Sequence, residues 1–342
     1  MPESNTYKTS FLLLIVLLGI CFFVNISFGS VAIPVKEICK SLFGEIDNAS
    51  WQYIIKNYRL PKAFTAILVG SGLGISGLLM QTLFRNPLAG PFVLGISSGA
   101  SLGVAIVVLG SGIFGGVFTS LLLSKWSVVL AASFGSFLVL LAVLAVSSSV
   151  RDTMAILIIG LMFGSITAAV VSVLSYFSSA EKLQQYIFWG FGSLGNLSWY
   201  ELFIFASIYL LGLLLSVFSI KALNTLLLGE NYAKSLGLNI KQSRLLIILA
   251  TSLLAGTITA FAGPIAFIGL AIPHMVRQLF TTSNHKILLP AVFLFGAIVM
   301  LICDSIAQLP TSEYTLPINA LTSLIGAPVV IWLLVRKRKM MF

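Results

Sequence analysis

Charged side chains are scarce in this chain of 342 residues. Asp, Glu, Lys and Arg together make up 9% of the sequence, whereas 58% of the residues are hydrophobic and the mean hydropathy is +1.06. A soluble globular protein carries about 25% charged residues, so the composition excludes a soluble domain. It predicts an all-α membrane protein in which residues 1–342 form a single polytopic transmembrane domain.

The sequence also lacks the motifs of several functional classes. Cys21, Cys39 and Cys303 are far apart and form no CxxC or Cys/His cluster, so we expect neither a disulfide framework nor a metal site. The P-loop motif GxxxxGK[ST] and the zinc-protease motif HExxH are both absent. The net charge of +10 does not indicate nucleic-acid binding, because Lys and Arg flank apolar runs and form no basic face. We predict no catalytic residue and no directly bound cofactor.

Long runs without any charged residue occur nine times along the chain. A membrane-spanning helix needs about 20 mostly apolar residues. The run 245–276 is too long for one span and is interrupted by Gly263-Pro264 and Pro273, so we divide it into two spans. The sequence therefore predicts about ten transmembrane helices, near 11–29, 60–83, 92–110, 126–147, 154–176, 199–219, 243–262, 266–280, 286–307 and 316–335.

The distribution of Lys and Arg predicts the orientation of the spans, because cytoplasmic loops carry an excess of these residues. If the N-terminus of a ten-span protein is cytoplasmic, the C-terminus is too, and that side then holds 13 of the 20 basic residues. In the opposite orientation, the cytoplasmic side would hold only 7 of the basic residues. The first apolar run follows Lys8 and reaches Gly29, which is long for a signal peptide, so we expect an uncleaved span.

Carboxylates are almost absent from the interior of the predicted spans, where we find Asp304 and, at a membrane edge, Asp152. Secondary transporters and proton pumps usually place several such groups inside the membrane. We therefore expect a pathway whose energy comes from another polypeptide. A stand-alone secondary transporter or channel is the alternative. An intramembrane enzyme built around His274 and Asp304 is a third hypothesis, although we expect His274 to be a packing residue.

Glycines recur at helical spacing in the second predicted span. Gly70, Gly74 and Gly77 share one face, where small residues allow helices to approach closely. The Gly-Pro starts of the segments 90–101 and 262–274 are consistent with an inverted repeat of two five-helix halves, in which spans two and seven correspond. The general abundance of glycine and proline in membrane helices explains the same pattern equally well.

One long polar island, residues 226–244, interrupts the apolar pattern with the sequence LLLGENYAKSLGLNIKQSR. Its spacing predicts two very short helices. Gly229 and Gly237 bracket seven residues, and glycine suits the left-handed position that ends a helix. Glu230 and Lys234 are four residues apart and can pair on one helical face. A helix this short is marginal in water, so the pattern favours a docked element over a solvated connector.

Four blocks of sequence carry a resemblance to a known family. They are RLPKAFTAILVGSGLGISGLLMQTLFRNPLAGPFVLGISSGA, LLLGENYAKSLGLNI, AGPIAFIGLAIPHMVR and LTSLIGAPVVIWLL. In this order they resemble the FecCD-type permease family, the membrane subunits of ABC importers for iron-siderophore complexes, haem and cobalamin. The resemblance runs from about Arg59 to Leu334 and covers most of the chain.

This resemblance implies a transport subunit of the inner (cytoplasmic) membrane and not an enzyme. The expected partners are a second permease subunit, with a homodimer favoured, and a cytoplasmic dimer of P-loop ATPases that binds ATP. A periplasmic or lipid-anchored substrate-binding protein completes the expected assembly. The substrate would be an iron chelate (siderophore or haem) or cobalamin, and the sequence alone does not separate these.

The resemblance also implies three sets of site residues. A coupling loop at about 221–242 is expected to contact the ATPase, and its expected contact residues are Gly229, Glu230, Asn231, Ala233, Lys234, Leu236, Gly237 and Leu238. Thr153 and Met154 are expected to form a cytoplasmic gate. Arg59 and Lys62 are expected to dock the binding protein through its acidic residues.

The sequence departs from the family pattern near its C-terminal end. Gln308 stands where family members usually have Arg, and Thr315 stands where they usually have Glu. These two changes are consistent with the replacement of an ion pair by neutral groups, and they put a docking contact at Gln308 in doubt. Asn319 stands where a glycine is common, and a positive φ is expected there because Asn tolerates it best after Gly.

Overall fold

The structure is a computed structural model that describes residues 7–44, 48–111, 124–147, 153–308 and 314–336. Every regular element in these ranges is helical. The α-helices, in chain order, are α1 (Lys8–Ser27), α2 (Val35–Phe43), α3 (Ala49–Ile54), α4 (Leu60–Leu83), α5 (Ile96–Val108), α6 (Lys125–Ser147), α7 (Thr153–Tyr176), α8 (Ala180–Gly190), α9 (Trp199–Phe218), α10 (Ile220–Leu226), α11 (Glu230–Ser235), α12 (Ile240–Ala262), α13 (Ile268–Leu279), α14 (His285–Ala307) and α15 (Ile318–Arg336).

Each predicted span coincides with one of these helices, and the bounds differ by four residues or fewer. Within the described ranges, seven helical stretches are long and apolar enough to cross a membrane. The remaining three predicted spans correspond to the shorter helices α5, α13 and α15. The chain is thus a multi-pass, all-helical membrane protein, while the count of ten spans remains a prediction.

The described helices include three that the sequence does not predict. The short helices α2 and α3 lie between the first two predicted spans, and α8 lies between the fifth and the sixth. Tyr186 of α8 forms a hydrogen bond with Ser101 of α5. None of the three helices is long enough to cross a bilayer, which needs about 20 residues.

The chain forms two compact units that are built from separated stretches of sequence. Unit 1 comprises residues 1–78, 193–210 and 266–341, and unit 2 comprises residues 79–192 and 211–265. Helix α4 begins in unit 1 and ends in unit 2. The expected inverted repeat of two five-helix halves remains a prediction.

Glycines bring the helices of unit 1 close together, as the sequence predicts. A side chain at position 77 would overlap the carbonyl oxygen of Gly269 in α13, and one at position 70 would overlap that of Gly296 in α14. At position 74, an added Cβ would lie 3.0 Å from Cγ1 of Val292 in α14. The absence of side chains on this face of α4 therefore permits direct backbone packing.

In unit 2, glycines likewise allow the backbones of α5 and α6 to pack directly against each other. Added side chains at Gly99 and Gly135 would each overlap the other residue's carbonyl oxygen, and one at Gly103 would overlap that of Ala131. Beside this contact lies a small core of fully or almost fully buried residues. It consists of Ala100, Val104, Val108, Val129, Ala132 and Ala260.

Candidate functional site

The sequence predicts two very short helices within the polar island, residues 226–244. The structure has one there, the six-residue α11, and a second, the seven-residue α10, that ends at the first residue of the island, Leu226. They lie in unit 2 between the long helices α9 and α12. Because helices of this length are not stable alone in water, their ends must be fixed by specific contacts.

Gly237 ends α11 in the left-handed conformation that the sequence predicts, with φ of +83°. The N–H of Gly237 donates to the carbonyl of Lys234 at 2.9 Å, and the N–H of Leu238 donates to that of Ala233 at 3.0 Å. This pair of bonds is the Schellman motif, which satisfies the last carbonyl groups of a helix.

Two further residues fix the direction of the chain around α11. Gly229 precedes the helix with φ of +101°, another value that favours glycine. After the helix, the side chain of Asn239 accepts a hydrogen bond from the N–H of Gln242 at 3.1 Å and so caps the start of α12. The turn from α11 into α12 is therefore short and defined at both ends.

The charge pair of the island differs from the expected one. Glu230 pairs with Arg244 of α12, with Oε1 and Nη2 3.0 Å apart, and does not pair with Lys234. The two side chains are 34% and 24% exposed. The expected pair of Glu230 and Lys234 is wrong because the turn at Gly237 brings α12 back alongside α11.

Large apolar side chains are exposed around α11. Leu228, Tyr232 and Leu236 follow one another at intervals of four residues and are 59%, 58% and 60% exposed. Ala233 is instead fully buried and faces the protein. Leu228 and Tyr232 were not among the expected coupling residues, although their spacing is a signal that the sequence contains. Within the polar island, residues 226–244, these three are the exposed large apolar side chains.

The expected docking residues Arg59 and Lys62 lie at the start of α4, and both are largely buried. The guanidinium of Arg59 donates to the carbonyls of Ile26 at 2.9 Å and Ser27 at 3.0 Å, and also to that of Val31. Arg59 is 7% exposed. It therefore fixes the end of α1, and docking of a partner by this residue remains a prediction.

Asp304 is the centre of a buried polar cluster. Its carboxylate pairs with Nζ of Lys62 at 3.2 Å and accepts hydrogen bonds from Asn25 at 2.8 Å and Gln308 at 2.9 Å. Asp304 is 2% exposed. With one cation and two amide donors, this carboxylate has the partners that a buried charge requires. The contacts link α1, α4 and α14.

The two residues that depart from the family pattern line one cleft of about 290 Å³. Gln308 and Thr315 share its wall with Tyr58, Arg59 and Lys62. The cleft thus brings the expected docking residues together with both substituted positions. The amide of Gln308 donates to Asp304, so a neutral side chain here has a defined partner.

The expectation of a positive φ at Asn319 is wrong. Among the described residues, Arg85 and Phe267 are the non-glycine residues with positive φ. Asn319 lies inside α15, where its side-chain oxygen accepts a hydrogen bond from the N–H of Ala266 at 3.0 Å. The side chain is therefore used to connect α15 to the segment before α13.

The expected gate lies largely outside the described residues. Helix α7 begins at Thr153, but the turn before it and the side chains of Thr153 and Met154 are not among the residues described. The gate therefore remains a prediction. His274 is buried in α13, and its packing role remains a prediction.

Residues 16–336 match the FecCD transport family. The vitamin B12 import system permease protein BtuC of Klebsiella pneumoniae is 40% identical over 297 residues, which cover 86% of each chain. The hemin transport system permease protein HmuU of Yersinia pestis is 34% identical over 329 residues, which cover 95% of each chain.

A solved structure shares the fold along nearly the whole length of the chain. It is described as an inward-facing conformation of an ABC transporter of the metal-chelate type, and it covers 96% of this chain at a TM-score of 0.82 and 32% identity. The chain belongs to the FecCD transport family.

Proposed function

We propose that this chain is the permease subunit of an ABC importer that carries an iron chelate (siderophore or haem) or cobalamin across the inner membrane. Energy comes from a separate dimer of P-loop ATPases on which ATP is hydrolysed. Membership of the FecCD transport family supports this function, as do relatives named for import of vitamin B12 and hemin.

The observation that carries the proposal is the exposed apolar surface around α11. A polar loop outside the membrane gains nothing by exposing Leu228, Tyr232 and Leu236 to water, since each buried apolar side chain contributes about 1.5–3 kcal/mol. A groove on the ATPase is the proposed cover for these side chains. Aromatic residues are among the most frequent energetic anchors of such interfaces.

The ends of α11 suit it to transmit a movement. The Schellman motif at Gly237, the ion pair between Glu230 and Arg244 and the cap at Asn239 all hold α11 against the start of α12. A helix fixed in this way moves as a rigid body together with α12. We therefore propose that residues 229–240 convert closure of the ATPase into movement of the neighbouring spans.

The proposed assembly places both termini of the permease in the cytoplasm. The excess of Lys and Arg on that side supports this orientation, and it puts α11 on the side where ATP is available. A second permease copy completes the pathway, and a substrate-binding protein docks on the opposite side, near the cleft of Lys62 and Gln308. Thr153 and Met154 are proposed to form the cytoplasmic gate.

Binding of the ATPase tests this proposal through a matched pair of substitutions. Tyr232→Ser removes the central aromatic of the exposed surface, whereas Tyr53→Ser removes an equally exposed aromatic, also 58% exposed, from α3. We expect Tyr232→Ser to weaken binding of the ATPase by about tenfold or more, which is typical of an interface anchor. Tyr53→Ser should leave it unchanged.

The assay is titration of the purified ATPase onto the permease in nanodiscs. Failure of the parent chain to bind a P-loop ATPase would favour the stand-alone transporter or channel. Equal binding by the parent and both variants would remove α11 as the contact, while leaving the importer itself in place.

A further inference from the structure

Arg85 occupies a backbone position that normally belongs to glycine. Helix α4 ends in a Schellman motif, in which the N–H of Asn86 donates to the carbonyl of Gln81 at 3.1 Å and that of Arg85 to the carbonyl of Thr82 at 3.3 Å. Arg85 is the left-handed residue of this motif, with φ of +47°. Arginine is disfavoured in this conformation. Strained residues of this kind persist where the side chain has a use.

The side chain of Arg85 reaches the junction between α10 and α11. Its Nη2 donates to the carbonyl oxygen of Leu227 at 3.0 Å, at the C-terminal end of α10. A cation suits this position because the free carbonyl groups at a helix end carry partial negative charge. The end of α10 therefore has a charged donor supplied by a distant part of the chain.

Gly229 lies beside this guanidinium. A Cβ at position 229 would be 3.4 Å from Nη1 of Arg85, an ordinary van der Waals contact, so the glycine is needed here for its φ of +101° and not for space. Two residues with positive φ, Arg85 and Gly229, thus meet where the coupling loop contacts the end of α4.

We propose that Arg85 is a positioning residue that links the coupling loop to α4. Along the chain, the coupling loop is connected only to α9 and α12. The hydrogen bond between Arg85 and Leu227 adds a connection from the loop to the end of α4, through which a movement of the loop can pass. Helix α4 is suited to carry a movement further, because Gly70 and Gly77 pack its backbone directly on α14 and α13. This inference rests on the proposed coupling role of α11.

Arg85→Gly separates this role from a purely structural one. Glycine accepts the positive φ without strain, so the end of α4 should fold at least as well as in the parent. The same substitution removes the guanidinium and its bond to Leu227. If Arg85 only ended a helix, the variant would be as stable as the parent and would couple normally. If Arg85 transmits movement, the variant is stable and couples poorly.

The experiment uses the full complex of permease, ATPase and binding protein in proteoliposomes, with labelled cyanocobalamin or haemin as the transported probe. Thermal unfolding, ATPase binding and the amount of probe transported per ATP hydrolysed are measured together. We expect Arg85→Gly to retain stability and ATPase binding and to transport about fivefold less probe per ATP, the effect of losing one solvent-exposed hydrogen bond. Arg85→Lys should lie between the two, because it keeps the charge and one donor.

Lys286→Ala is the control for loss of one positive charge, since Lys286 is exposed at the start of α14, and it should behave as the parent. If Arg85→Gly transports as much probe per ATP hydrolysed as the parent does, the inference is overturned. Loss of ATPase binding or of stability in that variant would overturn it as well, because Arg85 would then act in docking or folding. If the parent complex transports neither probe when ATP is supplied, the result counts against the proposed function.

Discussion

At the scale of single residues, Gly237 is the position at which backbone conformation matters most directly. An added Cβ at this glycine would meet no atom within 4 Å, so a substitution acts through φ alone. We expect Gly237→Val to strain the turn by about 1–3 kcal/mol and to redirect the chain between α11 and α12. Substrate-stimulated ATP hydrolysis and uptake should then fall by roughly tenfold or more.

Gly237→Asn is the matched control, because Asn adopts the left-handed conformation more readily than other non-glycine residues. It should retain most of the uptake. Equal activity of the Val variant and the parent, with normal ATPase assembly, would show that the segment is a simple linker.

Asp304 and Lys62 form an ion pair whose two members should differ in their effect on stability. Asp304→Ala leaves the cation of Lys62 and the amides of Asn25 and Gln308 without their acceptor, so we expect a loss of about 3–5 kcal/mol. Lys62→Ala should cost less, about 1–2 kcal/mol, because Asp304 keeps two amide donors and the Lys62 side chain is 20% exposed.

Thermal unfolding of the purified permease in one detergent compares the two variants. A larger loss for Lys62→Ala than for Asp304→Ala would contradict this assignment. The result also bears on docking of the binding protein. A stable Lys62 variant allows association rates to be measured without a folding defect, whereas reversal of Arg59 would break its contacts with the end of α1.

At the scale of elements, the sequence predicts the helices well because each long apolar run is bounded by charged residues or by Gly-Pro. The break between α12 and α13 follows Gly263, which has φ of +80°. The helices α2, α3 and α8 could not be predicted from span length, because each is too short to cross a membrane. The site was predictable where one residue decides the geometry, as at Gly237.

Contacts between distant residues were not predictable from local spacing. Glu230 pairs with Arg244 and not with Lys234, which is nearer in sequence, and only the fold makes this selection. The hydrogen bond from Asn25 to Asp304 joins residues 279 positions apart. Arg85 carries no sequence signal for a left-handed conformation, because glycine is the residue usually found there.

The packing of α4 on α13 gives a prediction for whole helices. Gly77→Ala places a methyl group on the carbonyl oxygen of Gly269, so the two helices must separate. We expect a loss of about 3 kcal/mol or more, at the upper end of overpacking effects. Gly19→Ala in α1 is the matched control, because an added Cβ there meets no atom within 4 Å.

The control should be neutral or slightly stabilising, as expected for Gly→Ala in a helix. Unfolding midpoints of both variants in the same detergent provide the comparison. Similar midpoints for the two alanine variants would contradict the close approach of α4 and α13.

At the scale of the whole molecule, the proposed function makes the chain a membrane pathway that depends on other subunits. Carboxylates are few in the interior of the described spans, and that of Asp304 is engaged by three side chains. This arrangement favours the proposed partner-driven transport over coupling to an ion gradient. The exposed surface at Leu228, Tyr232 and Leu236 is the proposed contact with that partner.

Uptake by proteoliposomes that contain the permease with and without its ATPase tests whether transport depends on that partner. Labelled cyanocobalamin, haemin and a ferric siderophore are supplied with the binding protein, with ATP on the ATPase side, in the presence and absence of a protonophore. We predict accumulation of one of these substrates that requires the ATPase and ATP and resists the protonophore. Accumulation by the permease alone, or its loss on addition of the protonophore, would contradict the proposed function.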